Sequence, residues 1–191
     1  MNYKNSKVLL AAASLMVMSW GATAQEGTTW FGDTADGQWL AGIKYGSMTN
    51  DDPGFSDADA YTLVLGYQFA RSVGTHGSSS VEFEFTDTEE ADINNGINTG
   101  RWDATTIAAY ITYRTPGTVY FKGKVGLLHS DVKVEINEVD VGDGSDVAFG
   151  YGAGIGLRLG AEQNLNLELE WVGASGEQDL SHVTIGGHYL F

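Results

Sequence analysis

The chain has 191 residues, no cysteine and a formal charge of −15 at pH 7. That length fits one domain. It excludes a disulfide framework and a cysteine-anchored lipoprotein, and the charge would repel nucleic-acid phosphates. An aromatic content of 12% argues against a disordered acidic chain.

The first element is a leader. Lys4 and Lys7 precede an apolar run from Val8 to Trp20, and Ala22-Thr23-Ala24 has the small-x-small pattern of a signal-peptidase site. Residues 1–24 are therefore expected to be a signal peptide cleaved before Gln25, residues 25–37 a short connecting segment, and residues 38–191 the folded domain. Past the leader, no stretch approaches the roughly 20 apolar residues a membrane helix needs.

From Gln38 the dominant signal is alternation with period two, which puts one set of side chains on each face of a strand. Eight segments carry it. In chain order they are Gln38–Met48, Ala60–Ala70, Ser79–Asp87, Asp103–Thr115, Thr118–Asp131, Asp146–Gly160, Asn164–Gly173 and Leu180–Phe191. One face is apolar, as in Tyr61, Leu63, Leu65 and Tyr67 of the second segment or Leu165, Leu167, Leu169 and Trp171 of the seventh. The other is polar or small, and in the sixth segment it is Gly150, Gly152, Gly154 and Gly156. Eight alternating segments of about ten residues predict an all-β, eight-stranded antiparallel transmembrane up-and-down β-barrel.

A soluble barrel with its apolar face inward would show the same alternation. Three asymmetries favour the membrane form. Connections alternate in length: Thr115-Pro116-Gly117 and Gly160–Gln163 are tight and Arg71–Ser78 modest, whereas Thr49–Asp59, Thr88–Trp102 and Val132–Ser145 are long and Ala174–Asp179 intermediate. Short periplasmic turns and longer external loops produce that pattern, with both termini periplasmic. The outward aromatics sort into two belts, Trp39, Tyr67, Tyr113 and Tyr189 at one edge and Tyr45, Tyr61, Phe149 and Trp171 at the other, as amphipathic rings do at the two headgroup levels. Finally, the last segment runs Val183-Thr184-Ile185-Gly186-Gly187-His188-Tyr189-Leu190-Phe191.

That ending resembles the C-terminal β-signal of outer-membrane proteins, in which Tyr189 and Phe191 would be read by the insertion machinery. With the opening Trp39-Leu-Ala-Gly-Ile-Lys-Tyr-Gly46, the stretch Gln38–Phe191 resembles the small OmpA/OmpX-like outer-membrane β-barrel family. The resemblance implies a cell outer-membrane location after export, contact with outer-membrane lipid and lipopolysaccharide, and a monomer. It departs from full-length OmpA in carrying no peptidoglycan-binding domain after the barrel.

An eight-stranded barrel is just wide enough for side chains to fill. The inward set holds Lys44, Arg114, Lys122, Lys124 and Arg158 against Glu82, Glu84, Glu168 and Glu170. Such a balance predicts a charge-paired, closed lumen, since unpaired charge there would be costly. A narrow porin-like channel for small solutes is the alternative. The surplus acid falls in the external loops: Asp51, Asp52, Asp57 and Asp59; Asp87, Glu89, Glu90, Asp92 and Asp103; Asp131, Glu135, Glu138, Asp140, Asp143 and Asp146; Glu177 and Asp179. Only Arg101 and Lys133 oppose them. A solvated, repulsive surface is the first expectation. Divalent cations at these loops are the sharper one, although Asp140, Asp143 and Asp146 lack the EF-hand order.

No cofactor, metal or catalytic site is expected. His129-Ser130 and Ser181-His182 are the pairs that a lipid-modifying enzyme could use. Adjacent residues of a strand point to opposite faces, so neither pair makes a nucleophile and its base. His76 and His188 lack metal-ligand spacing.

Overall fold

The structure is a computed structural model that describes residues 37–50, 54–69, 77–94, 96, 99–136, 139–175 and 180–191, with the side chains of 139–143 excepted. The leader, the segment to Asp36, His76, and the loop acids Asp51, Asp52, Glu138, Glu177 and Asp179 lie outside these residues.

Nine strands are present among the described residues: β1 (Gln38–Asn50), β2 (Ala58–Gln68), β3 (Ser78–Thr88), β4 (Ala91–Asn94), β5 (Thr99–Arg114), β6 (Val119–Ile136), β7 (Val139–Leu159), β8 (Leu165–Ser175) and β9 (Leu180–Leu190). All pairings are antiparallel. The order runs β3-β2-β1-β9-β8-β7-β6-β5, and β3 also pairs with β5, which closes eight strands into a barrel. The ninth strand, β4, lies outside this circle and pairs only with the start of β5. The amide of Trp39 donates to the Phe191 carbonyl at 3.1 Å and that of Phe191 to the Trp39 carbonyl at 2.9 Å, so the two ends of the barrel strands are tied together.

Two turns at the end that carries both barrel termini are set by glycine. Gly117 and Gly160 adopt φ values of +109° and +87°, a region in which a Cβ would clash. They allow Arg114 to reverse into Val119, and Leu159 into Leu165, over a few residues.

At the middle of the wall the apolar face is outermost. Ile43, Leu65, Phe121, Leu127 and Ile185 are each more than 60% exposed, which is tolerable only in hydrocarbon. The eleven residues of β2, at about 3.3 Å each and tilted by about 40°, span roughly 25–30 Å, the height of such an apolar band. Leu65→Arg, set between the belt residues Tyr61 and Tyr67, should destabilise the barrel by about 2–4 kcal/mol in urea titrations in phospholipid vesicles. The same change at Asp59 should have little effect.

Above the external belt the pattern changes phase, and the expectation from sequence is corrected there. The stretch Val132–Ser145, expected as a loop, is nearly all strand: β6 continues to Ile136 and β7 starts at Val139. Likewise Thr88–Trp102 contains β4 and the first residues of β5. In the wall the inward residues are charged and the outward ones apolar. Beyond the membrane the inward residues become apolar (Met48, Ala58, Trp102, Ala104, Val132, Leu180) and the outward ones polar (Asp57, Asp59, Arg101, Asp131, Lys133). Water has replaced lipid outside, so the preference of each face reverses while the strand continues.

Candidate functional site: the barrel lumen and its external cap

The charged residues that face the lumen form two stacked rings. In the ring nearer the termini, Arg114 of β5 reaches Glu82 of β3 at 2.6 Å and Glu168 of β8 at 2.7 Å. Lys122 of β6 reaches the same two carboxylates at 3.1 and 2.9 Å. Base and acid therefore alternate around a closed four-membered circuit. In the next ring Lys44 of β1 contacts Glu84 at 2.7 Å and Glu170 at 3.2 Å, and Lys124 contacts Glu84 at 2.8 Å and also pairs with Glu170. A contact of 2.6 Å between Lys122 and Glu170 joins the rings.

The alternation follows from strand position. Around the barrel β1, β3, β6 and β8 stand a quarter turn apart. Acids sit at i and i+2 on β3 and on β8, which face each other, and lysines at i and i+2 on β6, opposite Lys44 of β1. All eight groups are buried. Each has at least two opposite charges in contact, the condition under which buried ions are tolerated.

Glycines between the charged strands make the space. A Cβ on Gly66 would come 3.1 Å from Glu82 Cγ, one on Gly152 3.1 Å from Lys124 Cε, and one on Gly186 2.7 Å from Lys44 Cγ.

Arg158 stands apart from the rings. Its guanidinium donates to the carbonyls of Thr115 and Gly117, which tie it to the β5–β6 turn, and lies 4.3 Å from the centre of the Tyr120 ring. Three further participants are not evident from charge alone. Tyr120 donates to Glu168 at 2.7 Å, Ser80 donates to Glu82 at 2.6 Å, and the Tyr110 ring lies 4.1 Å under the Lys124 ammonium. The signal is present in the sequence, since each is an even-numbered residue of a strand whose even positions face inward. His188 lies 3.8 Å from Glu168 and 3.0 Å from Asn166.

Nearer the external end, a second inner cluster is apolar. Met48, Ala58, Ala60, Ile93, Trp102, Ala104, Val132 and Leu180 are buried against one another, with Phe55, Ala91 and Val134 packed on them. Trp102 is only 1% exposed. Its ring lies 5.8 Å from that of Phe55, and its Nε1–H donates to the Ser56 carbonyl at 2.9 Å. Phe55 bridges to Ile93, so the first and second external connections fold together over the barrel mouth.

Outside this cap the surface is polar. Tyr45 donates to Asp59 at 3.0 Å, Tyr61 to Glu89 at 3.1 Å and Thr105 to Asp87 at 2.9 Å. Arg101 pairs with Glu90 at 3.1 Å, both well exposed, and the carboxylate raises the guanidinium above its ordinary value. Such a pair contributes little to stability. Among the described residues no group of three or more His, Asp or Glu side chains is placed to hold a metal ion.

The His/Ser pairs do not assemble. His129 is on the outer face with Nε2 3.5 Å from Asp131 and Nδ1 3.1 Å from the Asp146 carbonyl oxygen, whereas Ser130 is buried on the inner face. Ser181 and His182 are divided between the faces in the same way. Tyr189 and Phe191 are on the outer surface, 52% and 66% exposed.

A closed eight-stranded barrel with an apolar exterior and a charged interior defines a transmembrane β-barrel of the outer-membrane class. Residues 10–187 match the family model of the outer membrane protein beta-barrel domain, and the chain belongs to that family. No curated protein sequence matches it. Among solved structures, it is similar to a major outer membrane protein from Thermus thermophilus, with a TM-score of 0.54 and 10% identity over 82% of this chain and 100% of that one. It is also similar to Ail, the attachment invasion locus protein of Yersinia pestis, in complex with the heparin analogue sucrose octasulfate, with a TM-score of 0.52 and 16% identity over 81% and 97% of the two chains. Neisserial surface protein A gives a TM-score of 0.50 and 10% identity over 81% and 97%. At these identities the likeness is one of fold.

Proposed function

We propose that this chain is a non-enzymatic, monomeric outer-membrane barrel whose lumen is closed and whose acidic external face serves a structural or surface-interaction role. Export would follow cleavage of the leader, and Tyr189 and Phe191 would be read by the insertion machinery. The observation that carries the closed lumen is the pair of charge rings. Eight buried side chains cross the bore from four sides and a fifth strand, and each is held by at least two opposite charges. The apolar cap supports the same reading, because it fills the external mouth with side chains that exclude water.

Recognition is then a matter for the exposed surface, which is acidic. The heparin-analogue binding of Ail does not carry over to such a surface, which would repel a polysulfated ligand.

Planar-bilayer recordings of the purified barrel test the closed lumen. The expected result is no stable open level. A large, persistent, water-filled conductance, reproducible across preparations, would replace this reading with a solute channel.

A further inference from the structure

The external part of the barrel is lopsided. On one side the extension formed by β5, β6 and β7 is covered, because β4 pairs with β5 from Thr99 to Trp102 and Phe55 bridges to Ile93. On the other side β7 pairs with β8 only from Phe149 inward, where Phe149 meets Ser175. From Val139 to Ala148, β7 is paired with β6 alone among the described residues. At about 3.3 Å per residue this leaves an open strand edge of about 30 Å outside the membrane.

The backbone direction along that edge follows from the register. Arg158 donates its amide to Thr118 on the β6 side. In an antiparallel pair alternate residues do the same, so Gly144, Asp146 and Ala148 turn their amides toward β6. Ser145 and Val147 turn theirs the other way, to the open edge. The Val147 amide is met there by its neighbour's carboxylate, Asp146 Oδ1, at 2.7 Å, a local cap that an incoming strand can displace. An open edge of this kind is a template for strand addition.

Charge chooses what can add. The edge carries Asp140, Asp143 and Asp146, and Asp131 and Glu135 lie on the paired strand β6. No lysine or arginine lies between Val134 and Gly156. A second copy laid antiparallel along this edge would set aspartates beside aspartates, and the chains carry −15 each. Like charges opposite one another destabilise a strand pair, and opposite charges favour it. We infer that the open edge of β7, Val139–Ala148, docks an extended, lysine- or arginine-rich polypeptide segment as an added strand. The inference rests on the surface-interaction reading above, for which it names the place and the class of partner.

The test uses the full barrel in detergent micelles and a fluorescent peptide of alternating lysine and valine. Three comparisons accompany it: the same peptide N-methylated at alternate residues, a glutamate–valine peptide, and the Ser145→Pro variant. Proline at residue 145 removes an edge amide and leaves the β6 pairing intact. The expected result is saturable binding of the lysine peptide that weakens with salt, with no binding of the glutamate peptide. N-methylation or Ser145→Pro should weaken it by at least about tenfold, the scale of one or two lost hydrogen bonds. The N-methylated arm needs no variant and so does not depend on how proline is tolerated.

Equal binding of the N-methylated peptide, unchanged by Ser145→Pro, would overturn the edge while leaving an acidic interaction surface in place. Failure of every peptide to bind would overturn the inference outright. Dimerisation of the barrel without peptide, abolished by Ser145→Pro, would make the occupant a second copy and overturn it as well.

Discussion

Lys122→Met should lower the unfolding free energy of the barrel by about 3–5 kcal/mol, the usual scale for removing one partner from a buried ionic cluster. Lys122 touches Glu82, Glu168 and Glu170 and is the residue that connects the two rings. Methionine keeps much of its volume, so the loss is electrostatic rather than a cavity. Four carboxylates would then face three bases, and the excess negative charge has no water to solvate it. The measurement is urea unfolding in phospholipid vesicles, followed by the heat-dependent gel shift. Adding Glu168→Gln to Lys122→Met restores the balance and should recover a large part of the loss. A single variant that unfolds within about 0.5 kcal/mol of the parent would mean that water or ions screen the rings.

Trp102→Ala should cost about 3–5 kcal/mol of cap stability, the range for truncating a fully buried large aromatic. It removes the ring packed on Phe55 and leaves the Ser56 carbonyl without its indole donor. The damage should be local, because the rings lie on the periplasmic side of the cap and share none of its residues. Limited proteolysis would then cut the external connections of the variant quickly and spare a membrane-protected core. The conductance should remain closed. Loss of the whole barrel together with the cap would show that external and membrane-embedded parts unfold as one unit.

How far the sequence foretells this molecule depends on which solvent surrounds each strand. Within the membrane the rule is constant, with odd residues outward and apolar, so the eight wall strands are legible from alternation alone. Lys44, Glu82, Glu84, Glu168 and Glu170 fall on the inner face by the same count. The rule fails where the strands leave the lipid. There Val132 and Val134 face inward while Asp131, Lys133 and Glu135 face water. That is still alternation, but of opposite phase, and an eye set to outward apolar residues reads it as loop. Trp102 escapes notice for the same reason, although it is among the largest fully buried side chains. The partners within the rings are not legible in detail. Which glutamate meets which lysine depends on the stagger of strands around the circle, a property of closure that no single strand contains.

The quarter-turn spacing of the charges has a consequence for assembly. Lys44 and Glu170 are separated by 126 positions in the chain, and neither ring is complete until the first strands meet the last ones. An open sheet on its way into the bilayer would carry eight half-matched ions on the side destined for the lumen. Closing the seam with β3 or β9 displaced along its neighbour would strand a carboxylate at one end and an ammonium at the other. The rings therefore act as a checksum on closure: they penalise every wrong stagger, and they favour a membrane entry route in which water stays with the unfinished barrel until its final seam is sealed.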